Sequence, residues 1–118
     1  MSNITSINIP PIQTKILRPY GYFYILTKEP GLKIDQVGVN PKASTKPHRH
    51  LYRHEHWYIV QGQAQVNIDQ NSFQLEAGQS IEVPKNTMHN IINLGEEMLT
   101  VIKIQTGENL EESDSYID

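Results

Sequence analysis

Before residue 107 the chain offers no apolar stripe of helix length at spacings of three and four; what recurs is short alternation cut by turn formers. Tyr22, Phe23, Tyr24 and Ile25 make an aromatic and β-branched run that Glu29-Pro30-Gly31 closes. In the next run Leu32 and Ile34 point one way while Val37 and Val39 point the other. That mismatch predicts a bulge in the strand or a strand covered on both faces. Ala64, Val66 and Ile68 alternate with Gln63, Gln65 and Asn67 and lead into Asp69-Gln70-Asn71-Ser72, the mark of a half-buried strand entering a hairpin. Phe73 and Leu75 continue the alternation, Gly78 breaks it, Ile81 and Val83 flank Glu82 ahead of Pro84, and Leu99–Ile104 forms one more strand. With 118 residues there is chain for one hydrophobic core. The expectation is therefore a single all-β domain, a sandwich or barrel.

The ends read differently. Residues 1–17 contain Pro10-Pro11 and no sustained period, which predicts an extended arm that frays or lies along a sheet edge. Residues 18–107 hold the barrel, and residues 108–118 form an acidic tail, expected as a short terminal helix or as disordered chain. That tail carries Glu108, Glu111, Glu112, Asp114 and Asp118 without a base. Although the whole chain has a net charge of −3, the remainder holds ten bases against eight acids. Nothing here has the basic excess of a nucleic-acid binder. A local cluster of Lys42, Lys46, Arg49 and Arg53 suits a small anion, with a solvated face as the commoner explanation of such a run. No apolar run is long enough for a bilayer, the first residues lack the pattern of a secretory signal, and there is no cysteine. Disulfides and thiolate metal sites are excluded, and a cytoplasmic location is expected.

All five histidines lie between positions 48 and 89, and His48, His50, His54 and His56 are crowded into HRHLYRHEHW. On a strand His48 and His50 project from one face, as two ligands of one metal ion must. Glu55 joins that face only if Leu51-Tyr52-Arg53-His54 turns, yet this tetrapeptide has no usual turn former, so a bridging ion is expected to supply the closure. His89 is the fourth candidate ligand, opening a strand after Pro84 and an Asn86 suited to a left-handed turn. Three imidazoles and one carboxylate suit Zn, Mn, Fe, Co or Ni. The plainer alternative is that these histidines satisfy polar spots on a surface hairpin. His54 and His56 flank Glu55 and point to the opposite face, while Trp57 and Ile59 share its face and line the interior.

His48-x-His50-x4-Glu55-x6-Gly62 and Gly78-x5-Pro84-x-Asn86-x2-His89-x3-Asn93 resemble the two motifs of the cupin superfamily, a double-stranded β-helix or jelly-roll barrel, with Asn86 where glycine is usual. The resemblance makes His48, His50, Glu55 and His89 the metal ligands. Arg18-Pro19-Tyr20-Gly21, the segment His50 to Trp57 and Gln105-Thr106-Gly107-Glu108 further resemble type II mannose-6-phosphate isomerases, in which this domain commonly follows a nucleotidyltransferase. Two positions depart from that pattern: His48 stands where glutamine is usual, and Ile117 stands near where an arginine is usual.

The resemblance implies interconversion of mannose 6-phosphate and fructose 6-phosphate through an enediolate, which needs a divalent ion and a proton carrier. Glu82 and Lys103 are the candidates for the carrier, and Arg18, Lys46 and Arg53 for phosphate contacts. The same ligand set also serves cupin dioxygenases, and a non-enzymatic sugar- or metal-binding module is the third reading. A basic pocket favours the sugar phosphate, an aromatic dry one the dioxygenase. Edge strands and the proline-bearing arm predict a homodimer.

Overall fold

The structure is a computed structural model that describes residues 14–117. Nine strands run in order: β1 Ile16–Arg18, β2 Gly21–Glu29, β3 Leu32–Val39, β4 Arg53–Gln61, β5 Gln63–Ile68, β6 Asn71–Glu76, β7 Ser80–Val83, β8 His89–Asn93 and β9 Leu99–Gly107. They form a six-stranded sheet in the order β1-β2-β3-β9-β4-β7 and a three-stranded sheet in the order β6-β5-β8, with every pairing antiparallel. This is the expected all-β fold, and no helix among the described residues is long and apolar enough to cross a membrane.

Alternation explains which side chains meet between the sheets. Val37, Val39, Ile59, Val101 and Leu99 from the large sheet pack against Ala64, Val66 and Ile91 from the small one, all nearly or fully buried. Turn chemistry sets the hairpins. Asp69 takes the left-handed conformation (φ 51°) in the two-residue link between β5 and β6, and Gly31 (φ 80°) closes the link between β2 and β3. Asn86 adopts φ 57°, the left-handed turn its identity predicts ahead of His89.

Three expectations need adjustment. The bulge is not in β3, which pairs evenly with β9 throughout; it lies in the partner strand β2, between Ile25 and Thr27. The inward residues of β3 are Lys33, Asp35, Val37 and Val39, so Leu32 and Ile34 cover the outer face while a charged pair enters the barrel. Phe73 alternates as expected, but β6 is an exposed edge and the ring stays 42% exposed.

Pro10-Pro11 lies outside the described residues; of the expected arm, Ile16 and Leu17 join Arg18 in the edge strand β1 on β2. Residues 108–117 contain no helix and pack against the barrel: Leu110 is buried, Tyr116 pairs with Arg49, and Asp114 is fully buried.

Candidate metal centre

His48 and His89 face one another across an isolated antiparallel bridge and exchange both backbone hydrogen bonds, His48 N to His89 O at 3.0 Å and His89 N to His48 O at 2.8 Å. His50, two residues on, projects to the same side. The ring centroids of His48, His50 and His89 lie 4.6–5.1 Å apart, and one potential ligand atom from each falls within 4.8 Å of the others.

Each of these rings is oriented by a carbonyl. Nδ1 faces the oxygen of Lys46 at 2.8 Å in His48, of Asp114 at 2.5 Å in His50 and of Thr87 at 2.9 Å in His89. A ring nitrogen facing a carbonyl carries the proton, which leaves the lone pair on Nε2 in His48 and His89, whereas Nε2 of His50 faces a carboxylate, that of Glu55. Nε2 of His89 is buried with no protein partner. Burial holds the His48 imidazole down at about 4 and that of His89 at about 3, outweighing the carbonyls that favour the charged rings. Both are neutral at physiological pH, the form a metal requires. The Nε2 lone pairs of His48 and His89, the latter buried and unpartnered, beside the His50 ring fit a divalent transition ion.

Glu55, on β4, is 3% exposed and reaches the cluster, its Oε2 lying 3.1 Å from Nε2 of His50. Trp57 donates from Nε1 to the other oxygen, Oε1, at 2.6 Å. Burial raises the carboxyl's pKa, but the contact with His50 and the charge of Lys103 outweigh it, and Glu55 stays ionised. The turn that carries Glu55 to this face is Leu51-Tyr52, shorter than the expected tetrapeptide because β4 already begins at Arg53. Its closure comes from Asp114, whose carboxylate accepts Leu51 N at 3.0 Å and Tyr52 N at 3.1 Å. No local signal marks Asp114, since it sits in an acidic run that reads as solvated tail.

A cavity of about 520 Å³ opens beside the cluster, and its walls include Arg18, Lys33, Asp35, Lys46 and Lys103 together with His48, His50 and Glu55. Lys103 places Nζ 4.1 Å from the Trp57 ring centroid. Burial lowers its pKa, with Glu55 and Asp35 partly restoring it. Lys33 and Asp35, missed from sequence, pair at 3.5 Å, and Gln105 donates to Asp35 at 2.9 Å. Their shared parity with Val37 and Val39 was the available signal.

The other predicted residues divide. Arg18 and Lys46 stand at the cavity, Arg18 paired with Glu112 at 2.8 Å. Arg53 also lines it but is 4% exposed and internally committed, donating to Gln105 Oε1 at 2.8 Å and to the carbonyl of Glu111, with Asp114 at 3.8 Å. Glu82 is not brought to the cluster: it is on the outer face of β7, against His54 and His56. Lys42 and Arg49 also leave the expected basic cluster, Lys42 pairing with Glu96 and Arg49 donating to Asn86.

Comparison with known proteins gives three findings. Residues 8–117 match the family model described as the mannose-6-phosphate isomerase C-terminal region. A mannose-1-phosphate guanylyltransferase of Sinorhizobium fredii is 33% identical over 99 residues, 84% of this chain but 19% of that protein, and the chain spans about a fifth of the length of the curated relatives it matches. Among solved structures, KdgF from Halomonas sp. superposes with a TM-score of 0.73 at 26% identity, covering 79% of this chain and 84% of that one. The oxalate decarboxylase of Bacillus subtilis, a protein with Mn(II) centres, superposes at 0.76 with 25% identity, covering 84% of this chain and 29% of that one.

Proposed function

The chain belongs to the family of the mannose-6-phosphate isomerase C-terminal domain, with a cupin fold, and on that footing we propose that it is a metal-dependent aldose–ketose isomerase interconverting mannose 6-phosphate and fructose 6-phosphate. The observation that carries this reading is the cavity itself, in which Arg18, Lys33, Lys46 and Lys103 share walls with the histidine cluster. Tyr20 and Phe23 line the cavity as well, and it is the four bases that favour a sugar phosphate over the dry aromatic pocket a dioxygenase would favour.

In this reading His48, His50, His89 and Glu55 hold one divalent ion. When bound, the ion supplies Lewis acidity toward the sugar's carbonyl oxygen. Arg18 and Lys46 take the phosphate, Arg18 exchanging its exposed Glu112 partner for the dianion. The internal bonds of Arg53 assign it to the framework instead. Lys103 carries the proton: burial lowers its pKa toward the deprotonated form, in which Nζ takes the proton from one of C1 and C2 and returns it to the other. Trp57 fixes Glu55 and faces Nζ of Lys103 with its ring.

The test is conversion of mannose 6-phosphate by the purified chain, with and without chelator, across added Mn, Co, Ni, Zn and Fe. Metal-dependent turnover that disappears in His50→Ala and His89→Ala is the expected result. Stoichiometric metal binding without turnover would retire the isomerase in favour of another cupin activity or a binding module.

A further inference from the structure

Strand β4 presents metal-binding side chains on both of its faces. Glu55 points inward to the cluster already described, and its neighbours His54 and His56 point outward, 40% and 37% exposed. On the adjoining strand β7, Glu82 is the register partner of His56. Its carboxylate spans the two rings, Oε2 against Nε2 of His54 and Oε1 against Nδ1 of His56. The other ring nitrogens, Nδ1 of His54 and Nε2 of His56, have no protein hydrogen-bond partner among the described residues.

We propose that His54, His56 and Glu82 form a second, exterior divalent-metal site on the outer face of the large sheet. Two imidazoles at i and i+2 on a strand share a face, and a carboxylate one strand away completes three donors on a rigid scaffold. Two nitrogens and one oxygen select a borderline first-row ion, Zn²⁺, Ni²⁺ or Cu²⁺, over Mg²⁺ or Ca²⁺, which take all-oxygen shells. Each imidazole facing the carboxylate must hold a proton there when no metal is bound; a cation replaces those protons while keeping the carboxylate paired. Exposure leaves the remaining positions to water, so this is a binding site that exchanges readily, unlike the buried interior cluster.

The experiment is a ZnCl₂ titration of the full chain. It is followed by equilibrium dialysis with metal counting and by ¹H–¹⁵N spectra of the histidine rings. Expected is a class of bound Zn²⁺ whose binding shifts the His54 and His56 ring signals together. That class is lost in the double variant His54→Gln/His56→Gln, and in Glu82→Gln it is weakened by at least the roughly tenfold that losing even an outer partner of a ligand costs. Because these side chains are exposed, the variants keep the fold, which their amide spectra before zinc is added verify, and the signals of His48, His50 and His89 report the interior site separately. An unchanged zinc count in the double variant, or His54 and His56 signals that stay fixed through the titration, overturns the proposal. Failure of the interior site or of isomerase activity leaves this count readable, so the two readings fall separately.

Discussion

Asp114→Ala is the sharpest test of how the interior site is held together. The side chain lies 62 and 63 residues from the two amides it accepts, those of Tyr52 and Leu51, and close to Arg53 Nε at 3.8 Å. A hydrogen bond to a charged group contributes about 1.5–3 kcal/mol, less where water replaces the acceptor, as it can at the half-exposed Leu51 and Tyr52. Arg53 has no such rescue, and removing one partner of a buried pair costs about 3–5 kcal/mol. Allowing for overlap between these terms, the loss should be about 3–5 kcal/mol, a large part of the roughly 5–15 kcal/mol that holds a domain folded. In melting temperature that is a drop of roughly 15 °C, read by circular dichroism together with urea unfolding. Asp114→Asn keeps one acceptor and should lose less. Asp114→Ala keeps the backbone carbonyl that orients His50 but loses the side-chain bonds that fix this carbonyl in place, so the variant should also bind metal more weakly by calorimetry, by up to the roughly 10–100-fold that losing a ligand's outer partner costs. A stability change below about 0.5 kcal/mol would refute the reasoning, because the turn between His50 and Glu55 would then be closed by something other than the tail.

Lys103→Met should preserve metal binding and the affinity for a non-isomerisable hexitol phosphate while abolishing proton exchange at C2, followed by NMR in deuterated water; retained exchange rules Lys103 out as the carrier. Glu82→Gln should cost only a few tenths of a kcal/mol, since the pair is exposed and screened. Hydrogen bonds from His54 and His56, against a small burial effect, hold the Glu82 carboxyl below its ordinary 4.5, so its contribution is present above that value and lost as pH falls through the lowered one. Denaturation curves of variant and parent should therefore converge on acidification, and a gap that widens contradicts the pairing. Light scattering should return a homodimer; a mass of 13.5 kDa at working concentration would show a monomer.

What could be read from the sequence follows what local chemistry encodes. Alternation exposed β5 because it has one buried face, and the left-handed turn before His89 was legible in Asn86 itself. The absence of turn formers in Leu51-Tyr52-Arg53-His54 was a legible anomaly. Its resolution was not, because the acceptor arrives from Asp114 at the far end of the chain, in a segment whose acidity reads as solvation. In β3 the apolar residues of opposite parity misdirected the reading. The interior there holds Lys33 and Asp35, and charge on a core face contradicts the rule that hydrophobic alternation relies on.

That contradiction locates the site. In the register of the large sheet, inward residues form rows across β3, β9 and β4: Lys33–Gln105–Glu55, then Asp35–Lys103–Trp57, then Val37–Val101–Ile59, with Val39–Leu99 beyond. Two rows are polar or charged and the rest are apolar, so one end of the barrel is a core and the other a chemical cavity built from the same three strands. Most of the charges there are linked in a chain, Lys33 with Asp35, Asp35 with Gln105, Gln105 with Arg53 and Arg53 with the tail, while Lys103 stands against the Trp57 ring and Oδ1 of Asp35 and Nε of Arg53 lack a hydrogen-bond partner. The chain of contacts runs from the cavity wall to Asp114, and Asp114 in turn holds His50 and the turn to Glu55. The acidic tail is thus the outer end of the polar network, and metal affinity, cavity charge and the stability of residues 108–117 should change together when any one link is cut.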